Sequence, residues 1–288
     1  MTAFWTLQVL NALQHAALLF LIAAGLSVSF GLMGFVNLAH GALYMLGAFI
    51  GISVAAQTGF WVALIAAPLA VSAIGALLYL CLLGRVARLG PMPQVLVSFG
   101  LVFIATELVR IVWGDIPLVL DPSAALAGRV DLAGATYPVY RLFVICIGAA
   151  MAAALWLGVN RTNLGAALRA SVENPGMARA IGIRTERMFL LVFTLGAGLA
   201  GLGGVVAAPI TAANPGMAVS ALIPALIVTV IGGMGNIAGA ALGALIVAGI
   251  EVFGAVLFPA ASAVLIYAAL AVALIWRPEG LLVAKGAR

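Results

Sequence analysis

The chain has 288 residues, of which 66% are hydrophobic and only 7% charged, with a formal net charge of +5. Soluble domains carry roughly 25% charged residues, so this sequence lacks the polar surface that water requires and belongs in a membrane. Its apolar stretches are long and uncharged, as hydrocarbon-spanning helices require. They do not follow the short alternating pattern of an outer-membrane barrel. The basic residues sit at the ends of these stretches, which argues against a nucleic-acid-binding face.

The expected architecture is an all-α integral membrane bundle of eight or nine spans, some broken or re-entrant, forming one domain over residues 1–288. No Lys or Arg precedes the first apolar run, so the basic start of a cleaved signal peptide is missing. The first span, about Val9 to Phe30, is therefore expected to be retained. Further spans are expected at about Phe35 to Ala56, Phe60 to Leu83 and Pro93 to Trp113. Asp115 to Tyr140 reads as a polar connection, followed by spans at Arg141 to Val159 and Met188 to Ala208. The tail from Ser220 to Arg277 holds two or three more, interrupted at Gly232-Gly233-Met234-Gly235-Asn236 and at Pro259. Cys81 and Cys146 both lie in apolar runs and read as packing residues.

Positive charge sets orientation. Three basic groups alternate correctly if all lie inside: Arg85 and Arg88; Arg161, Arg169, Arg179, Arg184 and Arg187; and Arg277, Lys285 and Arg288. The N-terminus is then outside and the C-terminus cytoplasmic. The tail crosses either three times or once with a re-entrant hairpin. The text from Gly31 echoes that from Gly232. Either this is a repeat with helix breaks at corresponding positions, or glycine-rich segments look alike by chance.

The segment 160–187 is the one long charged stretch inside the apolar sequence, with five of the thirteen basic residues. Its pattern predicts a helix over Leu164 to Glu173, then a break at Asn174-Pro175. Asn is a good N-cap and Pro suits the first helical position. A second helix over Pro175 to Ile181 ends at Gly182, a left-handed C-cap. Such a hairpin is either a solvated or headgroup-facing surface, or a rigid handle for a soluble partner.

Ionisable groups within spans are costly and mark candidate sites. Glu107 and Arg110, three apart, can pair on one helix face or line an outer mouth. Glu251 has no basic neighbour in sequence, so it faces a watery cavity or bonds to another helix. Asn37 and His40 stand in VNLAHG, where Gly31, Gly34 and Gly41 would permit a broken helix. The crowded glycines Gly196, Gly198, Gly201, Gly203 and Gly204 suit close helix packing. There is no phosphate loop, and Lys285 is the one lysine, so the chain is not its own P-loop ATPase. No metal-binding or catalytic set stands out, which argues against an enzyme.

Several motifs carry a resemblance over nearly the whole chain. NLGAALRASVENPGMARAIGI resembles the cytoplasmic loop of permease subunits of ATP-binding-cassette importers. GLMGFVNLAHGALYMLGAFIG, GGMGNIAGAALGA and the ending WRPEGLL resemble the LivH-type permeases of branched-chain amino acid importers. The resemblance implies a bacterial inner-membrane permease that pairs with a second homologous permease, two cytoplasmic ATPase subunits and an external substrate-binding protein. ATP and Mg would bind to the ATPases, with no cofactor in this chain. It implies a coupling surface at Arg169, Glu173, Asn174, Arg179 and Gly182. It also implies that the segment with Asn37, His40 and Gly41 lies beside the translocation path; with Glu107, Arg110, Asn236 and Glu251 these are the translocation-path candidates. Permeases for urea and short amides look similar, and an ion-coupled secondary transporter acting alone is the rival from another class.

Overall fold

The computed structural model describes residues 2–35, 37–87, 89–132 and 134–282. Apolar composition makes most of them helical, because hydrocarbon leaves every backbone polar group to be satisfied within the chain. In order, α1 is Thr2–Met33, α2 is His40–Thr58, and α3 is Phe60–Leu78. A π-helical turn at Tyr79–Leu83 then leads into the short α4, Gly84–Val86. After these come α5 (Pro91–Trp113), α6 (Val139–Arg161), α7 (Asn163–Glu173), α8 (Pro175–Ala180) and α9 (Thr185–Ala207). The tail supplies α10 (Met217–Gly232), α11 (Ile237–Leu257) and α12 (Ser262–Trp276). Among the described residues, seven helices are long and apolar enough to cross a membrane, and α10 and α12 are shorter apolar helices.

The expected span from Phe35 begins later than the hydropathy suggests. Residues 34, 35 and 37–39 are not helical, and α2 starts only at His40. Gly34 takes a left-handed φ of +59°, which ends α1 and turns the chain. The segment GGMGN forms a tight turn between α10 and α11, so the tail is three consecutive helices. Within the polar connection between α5 and α6, a small antiparallel hairpin pairs β1 (Arg129–Leu132) with β2 (Ala135–Pro138), an element with no signal in the sequence reading.

A central group of α1, α2, α9, α10 and α11 forms the core. Small residues bring backbones together there. A Cβ on Gly204 would lie 2.0 Å from the Tyr44 carbonyl oxygen, and one on Gly47 2.3 Å from that of Gly201. At the end of the bundle where α1 finishes, a Cβ on Gly31 would lie 2.0 Å from Gly235 Cα. Helices α3, α5, α6 and α12 form an outer shell with large exposed apolar side chains such as Leu69, Ile111, Leu157 and Ile275, a surface suited to lipid.

Candidate functional site

Two places stand out, one at the arginine-bearing end of the bundle and one inside it. At the first, α7 begins after Thr162, whose Oγ1 accepts from the Gly165 N–H at 3.0 Å. The helix buries Gly165, Leu168 and Ser171, spaced three apart on one face. Asn174 caps α8 by accepting from the Met177 N–H through Oδ1 at 2.9 Å, with Pro175 next. After α8 the chain turns at Gly182, with φ of +88°. Two orphaned helix starts are thereby satisfied by side chains, and the pair forms a rigid helix–turn–helix. Arg169, Glu173 and Arg179 are exposed on it. The Arg169 guanidinium returns to the Val159 carbonyl, tying α7 to the end of α6. The Arg179 Nε donates to the Pro175 carbonyl at 3.1 Å. Beside this handle lies an open groove of about 920 Å³ lined by Tyr79, Arg85, Arg179, Glu186, Arg187 and Phe189, among others.

Inside the bundle, the break between α1 and α2 brings Asn37, His40 and Gly41 together. His40 is 1% exposed, and its Nε2 lies 2.9 Å from the Ile22 carbonyl oxygen of α1. Gly41 packs against α10, where a Cβ would lie 1.9 Å from the Ala218 carbonyl oxygen. The Leu38 N–H donates to Ser98 Oγ of α5 at 3.2 Å. Asn37 is also 1% exposed, and among the described residues neither its Oδ1 nor its Nδ2 has a hydrogen-bond partner. On the side toward the arginines, Phe35 is buried in a cluster with Leu83, Val86 and Phe193.

The remaining candidates stand apart from that break. Glu107 and Arg110 pair at 2.6 Å on the exposed outer face of α5, with Asp115 on the same guanidinium at 3.2 Å. Asn236 caps α11 through the Gly239 N–H at 3.1 Å, and its Nδ2 donates to the Leu282 carbonyl at 3.1 Å. Glu251 meets His15 of α1 at 2.5 Å, with the two side chains 29% and 37% exposed. Of the two options for Glu251, it takes the bond to another helix. His15 was not singled out by sequence reasoning, because 236 residues separate the partners. The one usable signal was that both are isolated ionisable groups inside spans. The Asn11–Arg141 bond at 2.8 Å, joining α1 to α6, likewise had no sequence signature. Among the described residues, no three His, Cys, Asp or Glu side chains gather closely enough to hold a metal ion.

A close-packed bundle of apolar helices, broken inside and carrying a capped helical handle at one end, is a multi-pass membrane protein. Comparison with known proteins sharpens that class. Residues 8–274 match the family described as branched-chain amino acid transport system, permease component, and the chain belongs to that family. It is 30% identical to the high-affinity branched-chain amino acid transport system permease protein BraD of Pseudomonas aeruginosa, over 96% of this chain and 94% of BraD. It is 28% identical to the LivH permease protein of Escherichia coli K12, over 83% of this chain and 82% of LivH. Among solved structures, PsaBC from Streptococcus pneumoniae in complex with Fab superposes at a TM-score of 0.48 with 14% identity, over 92% of this chain and 89% of that one. The family consists of transport permease components rather than enzymes.

Proposed function

We propose that this chain is a permease subunit of an ATP-driven importer, forming the membrane path for branched-chain amino acids. It pairs with a second homologous permease, is driven by two cytoplasmic ATPase subunits, and receives substrate from an external binding protein. The observation that carries the reading is the helix–turn–helix at the arginine-bearing end, with Thr162 and Asn174 as caps. An ion-coupled transporter working alone has no use for a rigid polar handle of this kind. A subunit that must receive motion from a soluble ATPase does. Arg169, Glu173 and Arg179 are its exposed contacts, and Gly182 ends it. The positive-inside rule supports a cytoplasmic location for this end, in a bacterial inner membrane, with the N-terminus outside. The names of the relatives, BraD and LivH, favour branched-chain amino acids over urea or short amides.

The test is purification of the chain from its native membrane in mild detergent, with co-purifying subunits identified and ATP hydrolysis assayed. A second permease with ATPase subunits is the expected result. Reversal of charge at both Arg169 and Arg179 should then leave the ATPases turning over without transport. A lone oligomer without ATPase, carrying out uptake that collapses with the ion gradient, would overturn the reading.

A further inference from the structure

The break between α1 and α2 sets a helix start inside the bundle. Ile22, which receives His40, lies about three turns before the end of α1 at 3.6 residues per turn. The first turn of α2 is therefore well removed from the end where α1 finishes. It is also uncapped, because its N-cap is Ala39, which offers no side-chain acceptor. Two residues earlier stands Asn37, buried, with donor and acceptor both unpartnered among the described residues. Buried polar side chains are almost always paired, and an amide left unmade inside a low-dielectric bundle is costly. The neighbouring polar groups are engaged elsewhere. Ser98 Oγ donates to the Gln94 carbonyl at 2.6 Å, and His40 is held by Ile22.

We propose that Asn37 and the uncapped start of α2 together recognise the main-chain zwitterion of the transported amino acid. This rests on the importer reading above. The chemistry is complementary. A carboxylate is favoured at a helix N-terminus, where N–H groups and the helix dipole point at it, and it accepts a further hydrogen bond from Asn37 Nδ2. The ammonium donates to Asn37 Oδ1. Discontinuous helices inside transporters meet anionic substrate groups by this device. No part of this site reads the aliphatic side chain, so it accepts leucine, isoleucine and valine alike and leaves that choice to the external binding protein. In the conformation described here the plug of Phe35, Leu83, Val86 and Phe193 closes it toward the arginine-bearing end.

The experiment uses the complete importer in proteoliposomes, with external binding protein and radiolabelled leucine, isoleucine and valine. Asn37→Leu, nearly equal in shape but without polar atoms, should lower uptake of all three by about tenfold to a hundredfold, the range for hydrogen bonds to charged groups. Assembly, ATP hydrolysis and the concentration of loaded binding protein needed for half-maximal rate should stay as in the wild type. Asn37→Asp, which keeps the shape but replaces the amide donor with a fixed negative charge, should repel the substrate carboxylate. It should slow uptake several-fold while assembly of the importer holds. Wild-type uptake by Asn37→Leu overturns the inference. So does loss of uptake, assembly and ATP hydrolysis in parallel in Asn37→Leu while the isosteric Asn37→Asp transports normally, which would make Asn37 a packing residue. Failure of the wild-type, ATPase-bearing complex to carry any α-amino acid removes the importer reading and this inference with it.

Discussion

The central helices and the outer shell are equally apolar but are held by different means. In α1, 72% of the most apolar stretch is buried, and in α9 61%, against 17% in α5 and 11% in α6. Hydropathy does not separate them, with means of 1.8 and 2.1 for the first pair and 2.2 and 2.4 for the second. In lipid, apolarity fixes that a helix inserts and leaves open where it packs. Backbone approach and van der Waals contact decide the packing, and glycine is the residue that allows it. The central helices meet at Gly25 and Gly196, Gly47 and Gly201, and Gly204 and Tyr44. The shell shows large side chains to the outside; where α3 and α6 meet the centre a small residue recurs, a Cβ on Gly75 lying 2.4 Å from Ala197 Cβ and one on Gly148 2.5 Å from Ala17 Cβ, whereas Gly100 of α5 meets nothing.

The sharpest way to break that contrast is one substitution in each region. Gly204→Val should destabilise the detergent-solubilised protein by about 1–3 kcal/mol or more, the cost of overpacking, since a Cβ there would also lie 2.7 Å from Ala48 N. Gly100→Val in α5, where a Cβ meets nothing within 4 Å, should shift stability by less than about 0.5 kcal/mol. Equal melting temperatures for the two variants would remove the distinction. Asn174→Ala should cost the handle about 1 kcal/mol through its lost cap, seen as faster amide exchange around α8 with the bundle's melting unchanged. At the edge of the centre, a double-mutant cycle on His15→Ala and Glu251→Ala should give a coupling below about 1 kcal/mol, because both side chains are about a third exposed. Zero coupling would mean that the pair does not hold α1 to α11. In the shell, Glu107→Gln should leave the melting temperature where it was, because its ion pair with Arg110 is exposed; a clear drop would give the shell a share in stability that its geometry does not suggest.

Much of this was legible in the sequence where the signal is local. The two handle helices, their break at Asn174-Pro175 and the turn at Gly182 follow from capping chemistry carried by adjacent residues. Glu107 and Arg110 pair because three residues bring them to one helix face. The glycines around VNLAHG made a helix break there legible, but the start of α2 at His40 in place of Phe35 was not, because the segment is nearly as apolar as a span. Nor were His15 with Glu251, or Asn11 with Arg141, since tertiary packing alone brings those helices together. The unpartnered amide of Asn37 lies outside anything a pattern can report: its meaning comes from what surrounds it.

The motif WRPEGLL at the end of α12 has a consequence for how the bundle is made. Leu281 N–H donates to the Ile231 carbonyl at 2.9 Å and Leu282 N–H to that of Gly232 at 3.2 Å, while Asn236 holds the Leu282 carbonyl. The last carbonyls of α10, which the helix cannot satisfy itself, thus receive their donors from chain translated about fifty residues later. Until translation has passed Leu282, the turn between α10 and α11 stands open. That end of the bundle closes only once α12 and the segment after it have been made, so it is clasped by chain synthesised after the helices it joins.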